Sequence, residues 1–211
     1  GTRGNAVVGA SDRWLRALSA RLPARGDTAW KRDWLARGAE ADRRCRAALA
    51  VDANHEAGAI CAALAHTPRS AAVVVGNSLP IRCLEWVPLA DAVDRTFIAQ
   101  RGAAGIDGFL AAGAGAASTG RAVTVILGDV AFAHDAGSLA LWRAAAAPAL
   151  SAWVLDNRGG QIFAGMPVAN AASDSELEQL FLTPTGLDPV AIAAGFGVSA
   201  RTVDHTDWNL A

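Results

Sequence analysis

Hydrophobic and polar residues change their spacing partway along the chain. Between 11 and 22 the apolar residues Trp14, Leu15, Leu18 and Leu22 recur at helical intervals behind the start signal Ser11-Asp12, and Pro23 breaks the pattern. A long polar helix is expected over 30–50. A third helix, opened by Asp52 or Asn54 and ended by Pro68, carries Ile60, Leu64 and Ala65 on one face. Beyond it come short, nearly continuous apolar runs at 71–75, 96–98, 122–127 and 150–155, which read as strands covered on both sides. Segments 6–8 and 199–203 are weaker strand candidates. Helical stretches at 80–85, 105–117, 135–146 and 189–194 separate the strands. This alternation predicts an α/β fold: a doubly wound, mostly parallel sheet with helices on both faces and a short helical N-terminal appendage.

Composition narrows the possibilities. The 211 residues, 52% of them hydrophobic, suffice for one full domain with an appendage. A net charge of -1 gives no sign of nucleic acid or an anionic membrane surface as partner. Arginines crowd 21–46 and Lys31 is the only lysine, a pattern read as a solvated helical face. Cys45, Cys61 and Cys83 are odd in number and lack C-x-x-C spacing, which argues against a disulfide framework or a zinc site and suits a reducing compartment. The first residues lack the charged-then-apolar order of a signal peptide, and no apolar stretch approaches the about 18 residues of a membrane span. A soluble, cytoplasmic protein is expected.

The candidate chemistry lies in 123–163. One apolar strand ends in Gly128-Asp129 and another in Asp156-Asn157-Arg158-Gly159-Gly160, with a helix between them. Right-handed crossovers in a parallel sheet bring both loops to the carboxyl edge, where ligands of open sheets bind. A carboxylate and an amide then face one crevice. Mg²⁺ takes about six oxygen ligands, so a site with few protein ligands fits a cation that also carries phosphate oxygens. Taken alone, Gly128-Asp129 is better read as an ordinary helix start with Asp129 as its cap.

The two loops together resemble the metal-binding signature of thiamine diphosphate enzymes. The resemblance implies that Asp129, the Asn157 side chain and the Gly159 carbonyl hold Mg²⁺ or Mn²⁺, and that Asn77, Ser78, Ile106, Gly128, Val130 and Gln161 join them around thiamine diphosphate. Val130 and Asp156 depart from that signature, which has Gly and Asn there, but neither is an implied metal ligand.

Three further segments sharpen the likeness. Gly76-Asn77-Ser78 with Arg82, Arg101-Gly102-Ala103-Ala104-Gly105-Ile106-Asp107-Gly108, and Gly159-Gly160-Gln161-Ile162-Phe163 are similar, in order and spacing, to those of the menaquinone-pathway MenD family. Gln100 and Arg158 are further departures. The resemblance implies decarboxylation of 2-oxoglutarate and 1,4-addition of the succinyl unit to isochorismate, with Ser78, Arg82, Arg101 and Phe163 at the reacting centre. It further implies that 1–22 ends a central domain, 23–50 is a helical connector, and 51–211 is the diphosphate-binding domain, short of its last helix and strand. The glutamate that activates the cofactor would come from the aminopyrimidine-binding domain of a partner subunit in a homodimer or homotetramer, and Glu56 is not given that role.

Other readings stay open. Arg82 also fits an exposed helix charge, Arg101 an ion pair with Asp107, Ile106 helix-start packing, and Phe163 core closure. His134 reads as structural, and His55, His66 and His205 have no identifiable partners. The glycines at 102, 105 and 108 do not match the dinucleotide fingerprint, and no Walker lysine follows them. An acetolactate-synthase-like 2-oxo acid decarboxylase and a noncatalytic binding or assembly module are the alternatives.

Overall fold

The computed structural model describes residues 11–23, 26–52, 54–87, 95–100, 102, 104–144 and 150–204. The chain divides into two compact units, 1–41 and 42–211. The strand candidate at 6–8 lies outside the described residues.

The first unit holds helix α1 (Ser11–Arg21) and the start of α2 (Ala29–Val51). Trp14, Leu15, Leu18 and Leu22 keep their helical spacing, and all four are exposed. Trp30 and Trp34 meet edge to face at 6.1 Å, also in solvent. No residue of α2 is buried, as its arginine-rich pattern predicts. Its surface carries the ion pairs Arg37–Asp33 at 2.8 Å and Arg46–Asp42 at 3.0 Å.

In the second unit, strands β1 (Ala72–Val75), β2 (Thr96–Ala99), β3 (Val123–Gly128) and β4 (Leu150–Leu155) form one sheet in the order β2-β1-β3-β4. All three pairings are parallel. Side chains alternate between the faces; the central strands β1 and β3 are buried on both, so they read as continuous apolar runs, while the edge strands β2 and β4 are only partly buried. Val73, Val75 and Ile126 pack under α3 (Glu56–Ala65) and α4 (Leu79–Cys83). Ala72, Val74, Val123, Val125 and Leu127 pack under α5 (Phe109–Ala117), α6 (Asp129–Asp135) and α7 (Leu139–Ala144). The chain moves one way across the sheet from β1 to β2 and the other way from β2 to β4, and the connecting helices change faces accordingly, as right-handed crossovers require.

Several expected boundaries move. The cap of α3 is His55, whose Nδ1 accepts from the Gly58 N–H at 3.3 Å, while Asp52 forms a local turn by accepting from the Asn54 N–H at 2.8 Å. Helix α5 begins at Phe109 rather than 105, because Gly108 adopts φ +79° and its carbonyl accepts from Gln100 Nε2 at 2.9 Å. Asp135 does not open a helix. It closes α6, and its buried carboxylate accepts from the Leu110 N–H and the Ser138 hydroxyl, both at 2.6 Å. Segment 199–203 pairs with none of the described strands. It follows α9 (Pro189–Gly195), whose Ile192 and Ala193 join the core. Between β4 and α9 lie two 3-10 turns, the short α8 (Asp174–Leu177) and a π-helical turn at Glu178–Leu182, none of which the hydrophobic pattern announces.

Arg95 ties the end of α3 to the start of β2. Its guanidinium donates to the carbonyls of Leu64 at 2.7 Å and Thr67 at 3.0 Å, satisfying acceptors that a helix terminus leaves open.

Candidate functional site

Strands β1 and β3 are neighbours, but the chain leaves β1 toward β2 and returns across it to β3. Their carboxyl ends therefore diverge into the crevice where open parallel sheets bind ligands. Gly76, at the tip of β1, donates its N–H to the Ile126 carbonyl at 2.7 Å. A Cβ there would stand 3.1 Å from Leu127 Cα, so a side chain at residue 76 would press on the neighbouring backbone.

The loop after β1 brings three predicted residues together. Asn77 Nδ2 donates to the Gly105 carbonyl at 2.9 Å, joining this loop to the one after β2. Ser78 precedes α4 with φ +71°, a strained setting for a residue with a side chain. Its hydroxyl makes no capping bond, and its carbonyl accepts from Arg82 Nη1 at 2.8 Å. Arg82 is exposed at the rim. Ile106 is exposed in the turn before α5. Arg101 lies outside the described residues.

The loops after β3 and β4 meet directly. Asp129 is the first residue of α6 and only 5% exposed, and its Oδ2 accepts from the Gly159 N–H at 2.8 Å. Burial pushes this carboxyl above its usual range, hydrogen bonds from the N–H groups of Gly159 and Val130 pull it back, and nearby Asp156 raises it further. A buried carboxylate held in this balance gains from a cation. Gly128 and Val130, on either side, are half-buried.

The β4 loop is shaped by backbone contacts. Asp156 Oδ1 accepts from the Arg158 N–H at 3.2 Å while Arg158 takes φ +63°. Gly159 follows at φ +109°, where a Cβ would collide with the Leu182 carbonyl oxygen. That carbonyl also accepts from the Gly160 N–H at 2.7 Å. Gln161 donates its N–H to the Gly159 carbonyl at 2.8 Å and its Nε2 to the Arg158 carbonyl at 3.3 Å. Phe163 is half-buried and meets Phe181 edge to face at 5.6 Å.

Asn157 has a partner that sequence reasoning set aside. Its Nδ2 donates to Glu56 Oε1 at 2.6 Å, across 101 positions of sequence. No local spacing signals such a contact. With Nδ2 engaged, the side-chain oxygen is the end of this amide that can act as a ligand.

These donors suit a hard divalent ion. The described residues contain no group of three or more His, Cys, Asp or Glu able to hold a metal alone. One carboxylate with an amide and a peptide oxygen instead fits Mg²⁺ that draws its other ligands from a diphosphate and water. Two of the histidines have structural contacts. His55 caps α3, contrary to the expectation that it lacks a partner. His66 likewise has partners, with its Nδ1 2.9 Å from the Ala62 carbonyl and its ring against Trp153. His134 is exposed in the last turn of α6, and His205 lies outside the described residues. None of the three cysteines forms a disulfide; burial and the nearby Glu56 push the Cys83 thiol up, which makes it a poor nucleophile.

Fold and site together define a parallel α/β domain in which the loops after β3 and β4 meet at the carboxyl edge of the sheet. The chain is homologous over most of its length to 2-succinyl-5-enolpyruvyl-6-hydroxy-3-cyclohexene-1-carboxylate synthases. It is 36% identical to the synthase of Paenarthrobacter aurescens over 86% of this chain and 33% of the relative. With that of Myxococcus xanthus it shares 36% over 90% of this chain and 32% of the relative, and with that of a Nocardioides species 38% over 80% and 32%. The chain thus spans about a third of the length of these relatives. No protein-family model matches it. Among the described residues, no helix is long and apolar enough to cross a membrane.

Proposed function

We propose that this chain supplies the diphosphate- and metal-binding portion of a thiamine diphosphate-dependent synthase that joins a succinyl unit from 2-oxoglutarate to isochorismate by 1,4-addition. The observation that carries the reading is the 2.8 Å bond between Gly159 and buried Asp129, which holds the two implied metal loops against each other beside the switch point between β1 and β3. Homology to the synthases supports the same reading.

In this proposal Asp129, the Asn157 carbonyl oxygen and the Gly159 carbonyl hold Mg²⁺ or Mn²⁺. Asn77, Ser78, Gly128, Val130 and Gln161 line the diphosphate and thiazolium side, and Ile106 presents apolar bulk to the bent cofactor. When bound, thiamine diphosphate provides a nucleophilic carbon and accepts the electrons released as CO₂ leaves. Arg82 receives the distal carboxylate of 2-oxoglutarate by a forked pair of N–H bonds, a geometry that lysine lacks. Ser78 orients the reacting end, Arg101 faces the same centre, and Phe163 walls the pocket. Segments 1–22, 23–50 and 51–211 are the end of a central domain, a connector and the diphosphate-binding domain. The glutamate that activates the cofactor belongs to the aminopyrimidine-binding domain of a partner subunit in a homodimer or homotetramer.

Calorimetry tests the binding half. Thiamine diphosphate should bind the chain only when Mg²⁺ is present, and Asp129→Ala should abolish the heat. Folded protein that gives no heat with both ligands present overturns the reading. The substrate half is tested with the aminopyrimidine-binding portion added. Decarboxylation of 2-oxoglutarate should exceed that of pyruvate, and Arg82→Ala, which removes both bonds of the fork, should raise KM for 2-oxoglutarate by at least about tenfold, the cost of even one charge-assisted hydrogen bond. A preference for pyruvate overturns the substrate assignment.

A further inference from the structure

We infer that Glu56 is a positioning residue for the metal site: it locks the Asn157 amide so that its oxygen, and never its NH₂ group, is presented to the cation. This inference rests on the cofactor reading above and adds a residue that the two metal loops do not contain.

The chemistry is asymmetric. An ionised carboxylate only accepts hydrogen bonds, whereas an asparagine amide carries an acceptor at one end and donors at the other. The 2.6 Å contact from Asn157 Nδ2 to Glu56 Oε1 therefore selects one of the two amide orientations. Hydrogen bonds to ionised groups are roughly twice as strong as neutral ones, so the selected orientation is favoured over a free rotor. Turned the other way, the amide would point N–H dipoles at a divalent cation and remove a ligand. A ligand oriented by an outer carboxylate recurs in metal sites, and losing such a support weakens affinity by about 10–100-fold.

The placement of Glu56 is itself rigid. It is half-buried in the first turn of α3, where a negative charge is favoured by the helix dipole. Seven residues of that helix are buried against the sheet. Glu56 therefore reaches the β4 loop from a helix anchored in the core.

The experiment measures Mn²⁺ affinity in saturating thiamine diphosphate by electron paramagnetic resonance, on the full chain and on Glu56→Ala, Glu56→Gln and Glu56→Asp. Glu56→Ala should weaken Mn²⁺ binding at least about tenfold. Glu56→Gln keeps an acceptor oxygen at the same reach and should stay within a few-fold of the parent. Glu56→Asp keeps the charge at the start of α3 but is one methylene too short, so it should weaken binding even if the alanine variant does not fold. Parent-like affinity in Glu56→Ala or Glu56→Asp overturns the inference, and so does a Gln variant as weak as Ala, since charge rather than orientation would then matter. Should the parent chain bind no Mn²⁺, the cofactor reading fails by itself. The clamp is then judged on the Asn157 side-chain amide resonances, which should move in Glu56→Ala and barely in Glu56→Gln; unmoved resonances in Glu56→Ala overturn it.

Discussion

Helices α2 and α3 follow each other along the chain and stand in opposite relation to water. The 23 residues of α2 include none that is buried, and its order rests on backbone bonds and on arginine–carboxylate pairs one turn apart. Of the 10 residues of α3, seven are buried, and they are mostly alanine with Ile60 and Leu64. Exposed pairs one helical turn apart contribute only about 0.3–0.5 kcal/mol each. Burial of a large aliphatic side chain contributes about 1.5–3 kcal/mol. A helix can thus be long and well formed yet add little to the core, while a helix of three turns on the sheet carries both stability and a site residue.

The largest effect expected from this contrast is in α3. Leu64→Ala should lower unfolding free energy by about 2–5 kcal/mol in denaturant titrations, whereas Leu35→Ala on exposed α2 should change it by no more than about 0.5 kcal/mol. Equal costs would erase the distinction. Next comes Gly159→Ala, which places a Cβ against the Leu182 carbonyl at φ +109°; backbone strain of about 1–3 kcal/mol should appear as a lower melting temperature together with lost Mg²⁺-dependent cofactor binding.

A smaller effect is expected from Asp129→Asn in the ligand-free protein. The carboxyl is held above its unfolded value, so its favourable contribution is complete at low pH and is lost as pH rises through the folded-state value. The neutral variant still offers an oxygen to the Gly159 N–H. Its stability relative to the parent should therefore increase from acid to neutral pH, as read from melting curves across that range, while metal binding disappears. A difference that is flat with pH would show that burial does not perturb this group. The smallest effect is Arg37→Ala, about 0.3–0.5 kcal/mol or less, and it should shrink further in high salt.

Strands were the most legible part of the fold. Expected runs at 71–75, 96–98, 122–127 and 150–155 fall within a residue of the observed bounds; the central strands β1 and β3 are covered on both faces and must be apolar throughout. Helix starts were less legible wherever the first turn depends on something other than a preceding Ser, Thr, Asp or Asn. His55 caps α3 with a ring nitrogen, Gly108 sets the start of α5 through its left-handed backbone, and Asp129 enters α6 straight from β3. In the candidate site, the meeting of the Asp129 and Gly159 loops follows from sheet topology and was foreseeable. The Glu56–Asn157 bond was not, since no periodic signal links residues so far apart. Residues 161–182 also escaped prediction, because their 3-10 and π turns bury no residue and leave no apolar rhythm.

Arg95 grips the carbonyl end of α3, and Glu56 at its other end grips the β4 loop. The helix therefore works as a tie-rod between two loops at opposite ends of the sheet, about 15 Å apart at a rise of ~1.5 Å per residue. Cutting either fastening would release the loop it holds, while the seven buried residues keep the rod itself seated on the sheet.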